Sequence, residues 1–138
     1  MVMKLIKNEE KHYEFIRKLR TDKRNASGFF EQVDITTEQQ KKYMEKYSDC
    51  YYICIQDDIP VGFIGAVDND VRLATLPELK GTGIGKFMLT EFMKTHPNAS
   101  AKVMLENEVS NNLFQKYGFI GFKKDENFIY YKYDTKEN

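Results

Sequence analysis

The sequence has no tryptophan, only two cysteines and three prolines, and no net charge, because 21 Lys and Arg residues balance 21 Asp and Glu residues. This balance excludes a broad basic face for nucleic acid and an acidic tail. Cys50 and Cys54 have no further Cys or His cluster beside them to complete a metal site, so they indicate thiols in a reducing compartment. We therefore expect neither a metal nor a nucleic-acid partner.

Long apolar runs are also absent from the sequence. No stretch approaches the roughly 20 residues that a membrane helix needs, and the start MVMKLIKNEE becomes charged too early for a signal peptide. No repeat, low-complexity segment or Gly/Ser/Pro-rich linker divides the chain. The sequence therefore predicts a single domain over 1–138 that is cytoplasmic and has no membrane partner.

The sequence does contain regular strand and helix patterns, with ten Phe and nine Tyr to fill a core. Thr36 and Gln39 have the spacing of a capping box before a helix, and Pro97 ends another helix. The order is β-α-α-β-β-β-α-β-α-β-β, an α+β fold with three antiparallel strands in a meander before the third helix. The predicted strands span 2–6, 51–56, 60–67, 71–76, 101–106, 119–124 and 128–133, and the predicted helices span 9–24, 39–47, 85–95 and 109–118.

The stretch LKGTGIGKFML, residues 79–89, has a glycine at every second position directly before a helical pattern. The N-terminus of a helix presents backbone N–H groups without internal acceptors, and glycines allow an anion to approach them closely. Two flanking lysines, Lys80 and Lys86, add local positive charge. The pattern favours a phosphate-binding site, and the alternative is a tight strand-to-helix turn.

Two common phosphate motifs do not fit the spacing of these glycines. A Walker loop needs four residues between its glycines and a Ser or Thr after its Lys, whereas Gly81 and Gly85 enclose three residues and Phe87 follows Lys86. A dinucleotide-binding fingerprint needs G-x-G-x-x-G in a βαβ unit, whereas G-x-G-x-G follows a meander here. Neither of these two classes of site is indicated.

Residues 80–85, KGTGIG, closely resemble the acyl-CoA pyrophosphate loop of the GNAT N-acyltransferase superfamily, Arg/Gln-x-x-Gly-x-Gly/Ala, from which Lys80 departs at the first position. The stretch ENEVSNNLFQKYGF is similar to a second signature of that superfamily, and the matching positions are Asn107, Ser110, Leu113, Gly118 and Phe119. The resemblance covers nearly the whole chain. It implies a GNAT-like fold with a mixed, mostly antiparallel sheet of about seven strands and about four flanking helices.

The resemblance also implies how acetyl-CoA, the expected co-substrate, would bind. The loop amides would hold the pyrophosphate, and the strand around 73–76 would pair with the pantetheine arm like an added strand. The fourth and fifth strands would separate to admit the thioester, and an amide near Leu76 would stabilise its oxyanion. The predicted contacts with acetyl-CoA are Leu73, Thr75, Leu76, Lys80, Gly81, Thr82, Gly83, Ile84, Gly85, Lys86, Asn107 and Phe114.

The implied reaction is N-acetyl transfer by direct attack of a small primary amine on the thioester in a ternary complex. Family members often use a Tyr seven residues after the Asn as general acid, and Phe114 occupies that position here. Tyr117, one helical turn later, is a substitute candidate, with core packing as the alternative. Glu78 and Glu106 are candidates for the general base, with a solvated surface role as the alternative. The absence of an obvious base favours an amine of low pKa.

The missing Tyr leaves a second class of function open. A protein with this fold that binds acyl-CoA without turning it over would act as a sensor or interaction module. Turnover of any amine distinguishes the enzyme from the sensor. The exposed strand edges that the resemblance implies favour pairing into a homodimer.

Recognition of the acceptor in this superfamily involves the first two helices, their loop and the last hairpin. The stretch from FIRKLRTDKRN to YYICIQDDIPVGFIG loosely resembles members that acetylate amino groups on nucleotide-linked sugars, so an amino-sugar is a candidate acceptor. Arg17, Arg20 and Arg24 are placed to meet phosphates or carboxylates, or else to form a solvated helix face. His12 and His96 are expected to be exposed and to have no role.

Overall fold

The computed structural model describes residues 2–22, 24 and 35–134, and over these residues the chain is an α+β fold in the predicted element order. The strands are β1 (Met3–Lys7), β2 (Tyr51–Gln56), β3 (Ile59–Val67), β4 (Asp70–Thr75), β5 (Ser100–Met104), β6 (Phe119–Lys124) and β7 (Phe128–Tyr133). The helices are α1 (Tyr13–Thr21), α2 (Thr37–Tyr47), α3 (Ile84–Thr95) and α4 (Glu108–Lys116). The predicted loop containing Gly28 lies outside the described residues.

The seven strands form one sheet in the order β1-β2-β3-β4-β5-β7-β6. Every neighbouring pair is antiparallel except β4 and β5, which are parallel and pair only at Asp70 and Ser100. The predicted meander of β2, β3 and β4 is confirmed. Beyond Asp70 and Ser100 the two central strands separate, and this opening is called the strand gap below.

Helices cover both faces of the sheet. On one face, α3 buries Met88 and Phe92 in a core that also includes residues of α4. On the other face, Ile16 of α1 and Met44 of α2 pack against Ile53 of β2. Because both faces of β2 and β3 are covered, these strands read as continuous apolar runs rather than as alternating patterns.

The N-terminus of α2 has the capping box that the sequence predicts. The Gln39 backbone N–H donates to Thr36 Oγ1 at 3.1 Å, and the Thr36 N–H donates to Gln39 Oε1 at 2.9 Å. Two backbone donors that helix geometry leaves without partners are thereby satisfied.

The prediction that both histidines are exposed is wrong for His12. Its side chain is buried, with 7% exposure, and its Nε2 atom has no hydrogen-bond partner within the described structure. Burial lowers the pKa of His12, since desolvation disfavours the charged form. His96 is partly buried and stacks on Phe92, with 4.1 Å between the ring centroids. Both residues thus pack against the fold.

Both cysteines are free thiols in the structure. Burial raises the pKa of Cys54 to about 11, so its thiol stays protonated at neutral pH. Among the residues that the structure describes, no group of three His, Cys, Asp or Glu side chains is arranged to hold a metal ion. The described helices are all too short or too polar to cross a lipid bilayer.

Glu14 connects the two N-terminal helices through a charge-assisted contact. Its carboxylate accepts hydrogen bonds from Arg17 Nε and from Thr37 Oγ1, each at 2.7 Å. These bonds, with Arg17 as the larger cause, lower the pKa of Glu14 to about 2. A carboxyl whose pKa is lowered by folding stabilises the protein above its unfolded pKa, and this contribution is lost as the pH falls through its folded pKa.

We expect Glu14→Gln to lower the free energy of unfolding by a few tenths of a kcal/mol at pH 6, and by less at pH 2, where about half of the folded molecules have Glu14 protonated. The effect is small because the Glu14 side chain is 42% exposed and solvent screens the pair. Urea denaturation at both pH values measures the difference, with Glu38→Gln in the first turn of α2 as the control for loss of one carboxylate. Equal destabilisation by Glu14→Gln at both pH values would contradict this account.

Candidate functional site

A cavity of about 420 Å³ lies beside the N-terminus of α3, next to the strand gap. Its walls are the end of β4, the glycine loop (residues 80–83), the first turn of α3 and one side of α4. Its lining residues are Leu73, Ala74, Thr75, Leu79, Lys80, Gly81, Gly83, Ile84, Gly85, Lys86, Asn107, Val109, Ser110, Asn112, Leu113, Lys116 and Tyr117. The two segments singled out by the sequence therefore meet at one place.

The backbone conformation of the glycine loop favours glycine at two positions. Gly81 and Gly83 have φ angles of 84° and 93°, in the left-handed region that residues with a Cβ rarely adopt. A Cβ added at either position would meet no atom within 4 Å, so neither glycine is required by crowding within the protein. The same open space allows a ligand to approach the loop backbone.

The loop leads into a helix whose first amides face the cavity region. The first backbone hydrogen bond of α3 runs from the Phe87 N–H to the Gly83 carbonyl, at 3.0 Å. The amides of Ile84, Gly85 and Lys86 precede this bond and have no acceptor within the helix. An array of this kind attracts an anion through its N–H groups and through the helix dipole.

Lysine side chains supply positive charge around this array. Lys86 Nζ and Lys116 Nζ each lie 5.7 Å from the centroid of the Tyr117 ring, on the cavity wall. Lys80 Nζ donates a hydrogen bond to the Arg24 carbonyl at 2.8 Å. A chain without net charge thus has a locally basic cavity.

The backbone of β4 bears on the oxyanion donor that is predicted near Leu76. The Leu76 N–H donates to the Val61 carbonyl of β3 at 2.9 Å, so this amide is not available to stabilise an oxyanion. Along an antiparallel strand, successive residues direct their N–H and C=O groups to opposite sides. The backbone groups of Leu73 and Thr75 are therefore directed toward the strand gap.

Asn107 lies on the cavity wall and is also the N-cap of α4. Its Oδ1 atom accepts a hydrogen bond from the Ser110 N–H at 3.1 Å, and the residue is 8% exposed. Asparagine at this position satisfies one of the otherwise unpaired amides of the helix. The position predicted to contact the cofactor is thus also a structural cap.

A buried polar network behind the cavity was not predicted. Asn111 Nδ2 donates to the Met104 and Asn107 carbonyls, both at 3.0 Å, and Asn111 Oδ1 accepts from the Tyr131 hydroxyl at 2.6 Å. Gln115 Nε2 donates to the same hydroxyl at 2.9 Å. The available sequence signal was a polar residue one helical turn after Asn107, on the inward side of an amphipathic helix.

The structure places the candidate catalytic residues in different surroundings. Tyr117 lines the cavity. Phe114 is outside the lining and is buried against Phe119 and Tyr131, with ring centroids 5.0 and 5.9 Å away. Glu78 and Glu106 are exposed, and neither lines the cavity. Glu78 also forms an ion pair of 3.4 Å with Arg24, and Thr82 and Leu76 likewise lie outside the lining.

Comparisons with known proteins bear on the family and the fold of the chain. The model of the Acetyltransferase (GNAT) family matches residues 12–119. None of the curated proteins matches the chain. The fold is similar to spermidine N-acetyltransferase from Vibrio cholerae in complex with CoA and spermine, with a TM-score of 0.80 and 12% identity over 94% of this chain and 93% of that one.

Two further solved structures have the same fold. PaiA N-acetyltransferase from Thermoplasma acidophilum, in complex with coenzyme A, has a TM-score of 0.66 and 22% identity over 96% of this chain and 99% of that one. YncA from Salmonella typhimurium, solved with its cofactor acetyl-CoA, has a TM-score of 0.80 and 11% identity over 100% of this chain and 96% of that one. At these identities the likeness shows the fold alone.

Proposed function

The chain belongs to the GNAT acetyltransferase family, and we propose that it transfers the acetyl group of acetyl-CoA to the primary amine of a small acceptor. Family membership confirms the enzyme class predicted from the sequence. The observation that carries the proposal is the cavity where the glycine loop, the strand gap and the start of α4 meet. An amino-sugar is one candidate acceptor.

In this proposal acetyl-CoA lies along the cavity. Its pyrophosphate accepts hydrogen bonds from the amides at the start of α3, with Lys86 contributing charge. Its pantetheine arm extends along β4 and pairs with the backbone of Leu73 and Thr75. The thioester then lies in the strand gap, where the Leu73 amide is the candidate donor to the developing oxyanion.

The reaction requires the amine in its neutral form. The nitrogen lone pair attacks the thioester carbonyl, and the C–S bond breaks. The attacking amine loses a proton and the leaving thiolate of CoA gains one, each by transfer with water or a protein group. Alignment of the two reactants contributes roughly 7 to 11 kcal/mol to lowering such a barrier. Glu78 and Glu106 remain the proposed candidates for a base, acting through water because neither lines the cavity.

Tyr117 is the proposed general acid, and we expect Tyr117→Phe to lower kcat about tenfold to a hundredfold. Its place on the cavity wall, from which Phe114 is absent, supports this role. The KM for acetyl-CoA should change little, because the ring and its contacts with both lysines are retained. Steady-state kinetics at saturating amine measure the effect, and an unchanged kcat would leave protonation of the thiolate to water.

A second function is favoured by one observation, the buried Phe114 at the usual position of the acid. A protein that binds acetyl-CoA without turnover would act as a sensor. Calorimetric titration with acetyl-CoA and with CoA, followed by a pooled panel of amines, tests both functions. Binding with release of CoA supports the enzyme, binding without release supports the sensor, and no binding to either ligand overturns both.

A further inference from the structure

Two guanidinium groups converge on one tyrosine ring on the face of the sheet opposite the cavity. Arg20 of α1 places its Cζ atom 5.1 Å from the centroid of the Tyr43 ring. Arg72 of β4 donates from Nη1 to the Tyr43 hydroxyl at 3.4 Å. Tyr43 in turn shares a hydrogen bond of 2.8 Å with the Tyr51 hydroxyl. We call Arg20, Tyr43 and Arg72 the arginine cluster.

The arginine cluster lies beside the strand gap. Arg72 is two residues beyond Asp70, the last residue of β4 that pairs with β5. At the matching position of β5, Lys102 places its Nζ atom 4.2 Å from the centroid of the Phe128 ring. Side chains at alternate positions of a strand share a face, so Arg72 lies on the face of Asp70 and Lys102 lies on the face of Ser100. Because Asp70 and Ser100 pair with each other, Arg72 and Lys102 lie on the two sides of the gap. In the proposed acetyl transfer, a molecule that approaches the thioester from this face would pass between them.

Arg20 and Arg72 differ from Arg17 and Arg24 in their ion pairs with carboxylates. Arg17 is bound by both carboxylate oxygens of Glu14, at 2.7 and 2.9 Å. Arg24 pairs with Asp22 at 2.8 Å. Among the described residues, by contrast, no carboxylate lies within ion-pair distance of Arg20, and the only one within that distance of Arg72 is Asp70, at 3.9 Å.

Asp70 also contacts β5 on the other side of the gap. Its carboxylate accepts a hydrogen bond from the Lys102 backbone, and burial raises the pKa of Asp70. Partly buried positive charges are costly unless an anion compensates them. The described part of this face therefore holds more positive than negative charge, in a position where a bound anion would stabilise it.

We propose that the acceptor amine carries an oxyanion group, a carboxylate or a phosphate, which Arg20 and Arg72 bind while the amine reaches the strand gap. This inference rests on the proposed acetyl transfer. A guanidinium group binds carboxylate and phosphate with paired, directional hydrogen bonds. The Tyr43 ring keeps the two guanidinium groups close to the gap. A polycationic amine would instead be repelled by the cluster and by Lys102.

The test compares amines that differ only in the anion. Three matched pairs are lysine and cadaverine, histidine and histamine, and glucosamine 6-phosphate and glucosamine. Acetylation is followed through release of CoA, and binding of each compound to the CoA-saturated protein is measured separately by calorimetry. The carboxylate and phosphate pairs distinguish the two sources of the oxyanion.

The variants are Arg20→Gln and Arg72→Gln, with Lys18→Gln as the control. Lys18 is an exposed cation on the same helix as Arg20 and lies outside the cavity lining, so Lys18→Gln removes the same charge away from the cluster. We expect each arginine variant to lower kcat/KM and affinity for the anionic member of a preferred pair roughly tenfold to a hundredfold. The neutral or decarboxylated member should change less than about threefold, and the control should leave both unchanged.

The two readouts separate this inference from the proposed function. A preference for the anionic member that both arginine variants abolish supports the inference. Equal or better binding and turnover of the amine without the anion overturns it and leaves the acetyltransferase intact. Anion binding that depends on the arginines, without release of CoA from any pair, overturns the acetyl transfer and leaves an anion site. Thermal denaturation shows whether each variant is folded.

Discussion

Replacing Gly83 with glutamate is expected to abolish binding of acetyl-CoA while leaving the fold intact. Gly83 has a φ angle of 93° and is the N-cap of α3, where the proposed pyrophosphate site lies. A glutamate would bring a carboxylate against the phosphates and fill the open space beside the loop, and like charges in contact cost several kcal/mol. We expect a loss of affinity of at least about a hundredfold, or roughly 2.7 kcal/mol, measured by calorimetry.

Gly83→Ala is the matched control, because any residue with a Cβ suffers the same strain at a positive φ angle. That strain costs about 1 to 2 kcal/mol, so both variants should unfold at a similarly reduced temperature. A Cβ at this position meets no protein atom within 4 Å, so alanine should retain affinity to within about tenfold. Affinity of Gly83→Glu equal to that of Gly83→Ala would show that the loop does not hold the anion.

Replacing Asn111 with leucine is expected to destabilise the fold by about 2 to 4 kcal/mol. The change removes the side-chain amide donor to the Met104 and Asn107 carbonyls and the acceptor of the Tyr131 hydroxyl. Asn111 is 7% exposed, so water cannot readily replace these partners. Urea denaturation measures the cost. Asn112→Leu, on the exposed side of the same helix, should change stability by less than about 0.5 kcal/mol.

A double-mutant cycle with Tyr131→Phe tests whether these groups act as one network. Tyr131→Phe alone removes the hydroxyl that bonds to Asn111 and Gln115, at an expected cost of about 1 to 2 kcal/mol. The double variant should cost less than the sum of the two single variants by roughly 1 kcal/mol, because the shared bond is counted twice. Strict additivity would contradict a shared network.

The Asn111 network also bears on the proposed function, because it fixes the start of α4 relative to the end of β5. Met104 is the last residue of β5, and Asn107 caps the N-terminus of α4 on the cavity wall. Loss of the network would therefore loosen one wall of the cavity. We expect Asn111→Leu to weaken acetyl-CoA binding in addition to its effect on stability.

The element order, and most element bounds to within about two residues, could be predicted from the sequence, because they depend on local periodicity and on glycine and proline at the element ends. The bounds of β2, β6 and β7 agree with the prediction. Helix α1 was predicted to extend to residue 24 but ends at Thr21, and β5 was predicted to reach residue 106 but ends at Met104. Helix and strand ends depend on contacts with the rest of the fold, which periodicity does not report.

The loop geometry that is proposed to bind phosphate at 80–86 could be predicted from the sequence alone, since positive φ angles and unpaired amides follow from glycines at the start of a helix. Only the tertiary structure decided which side chains share a site. In the structure, the Leu76 amide donates a hydrogen bond to the Val61 carbonyl, and His12 and Phe114 are buried. Arg20 and Arg72 both contact Tyr43. These outcomes depend on strand register and on how helices pack across the sheet. Such contacts join residues far apart in the chain, so no local pattern encodes them.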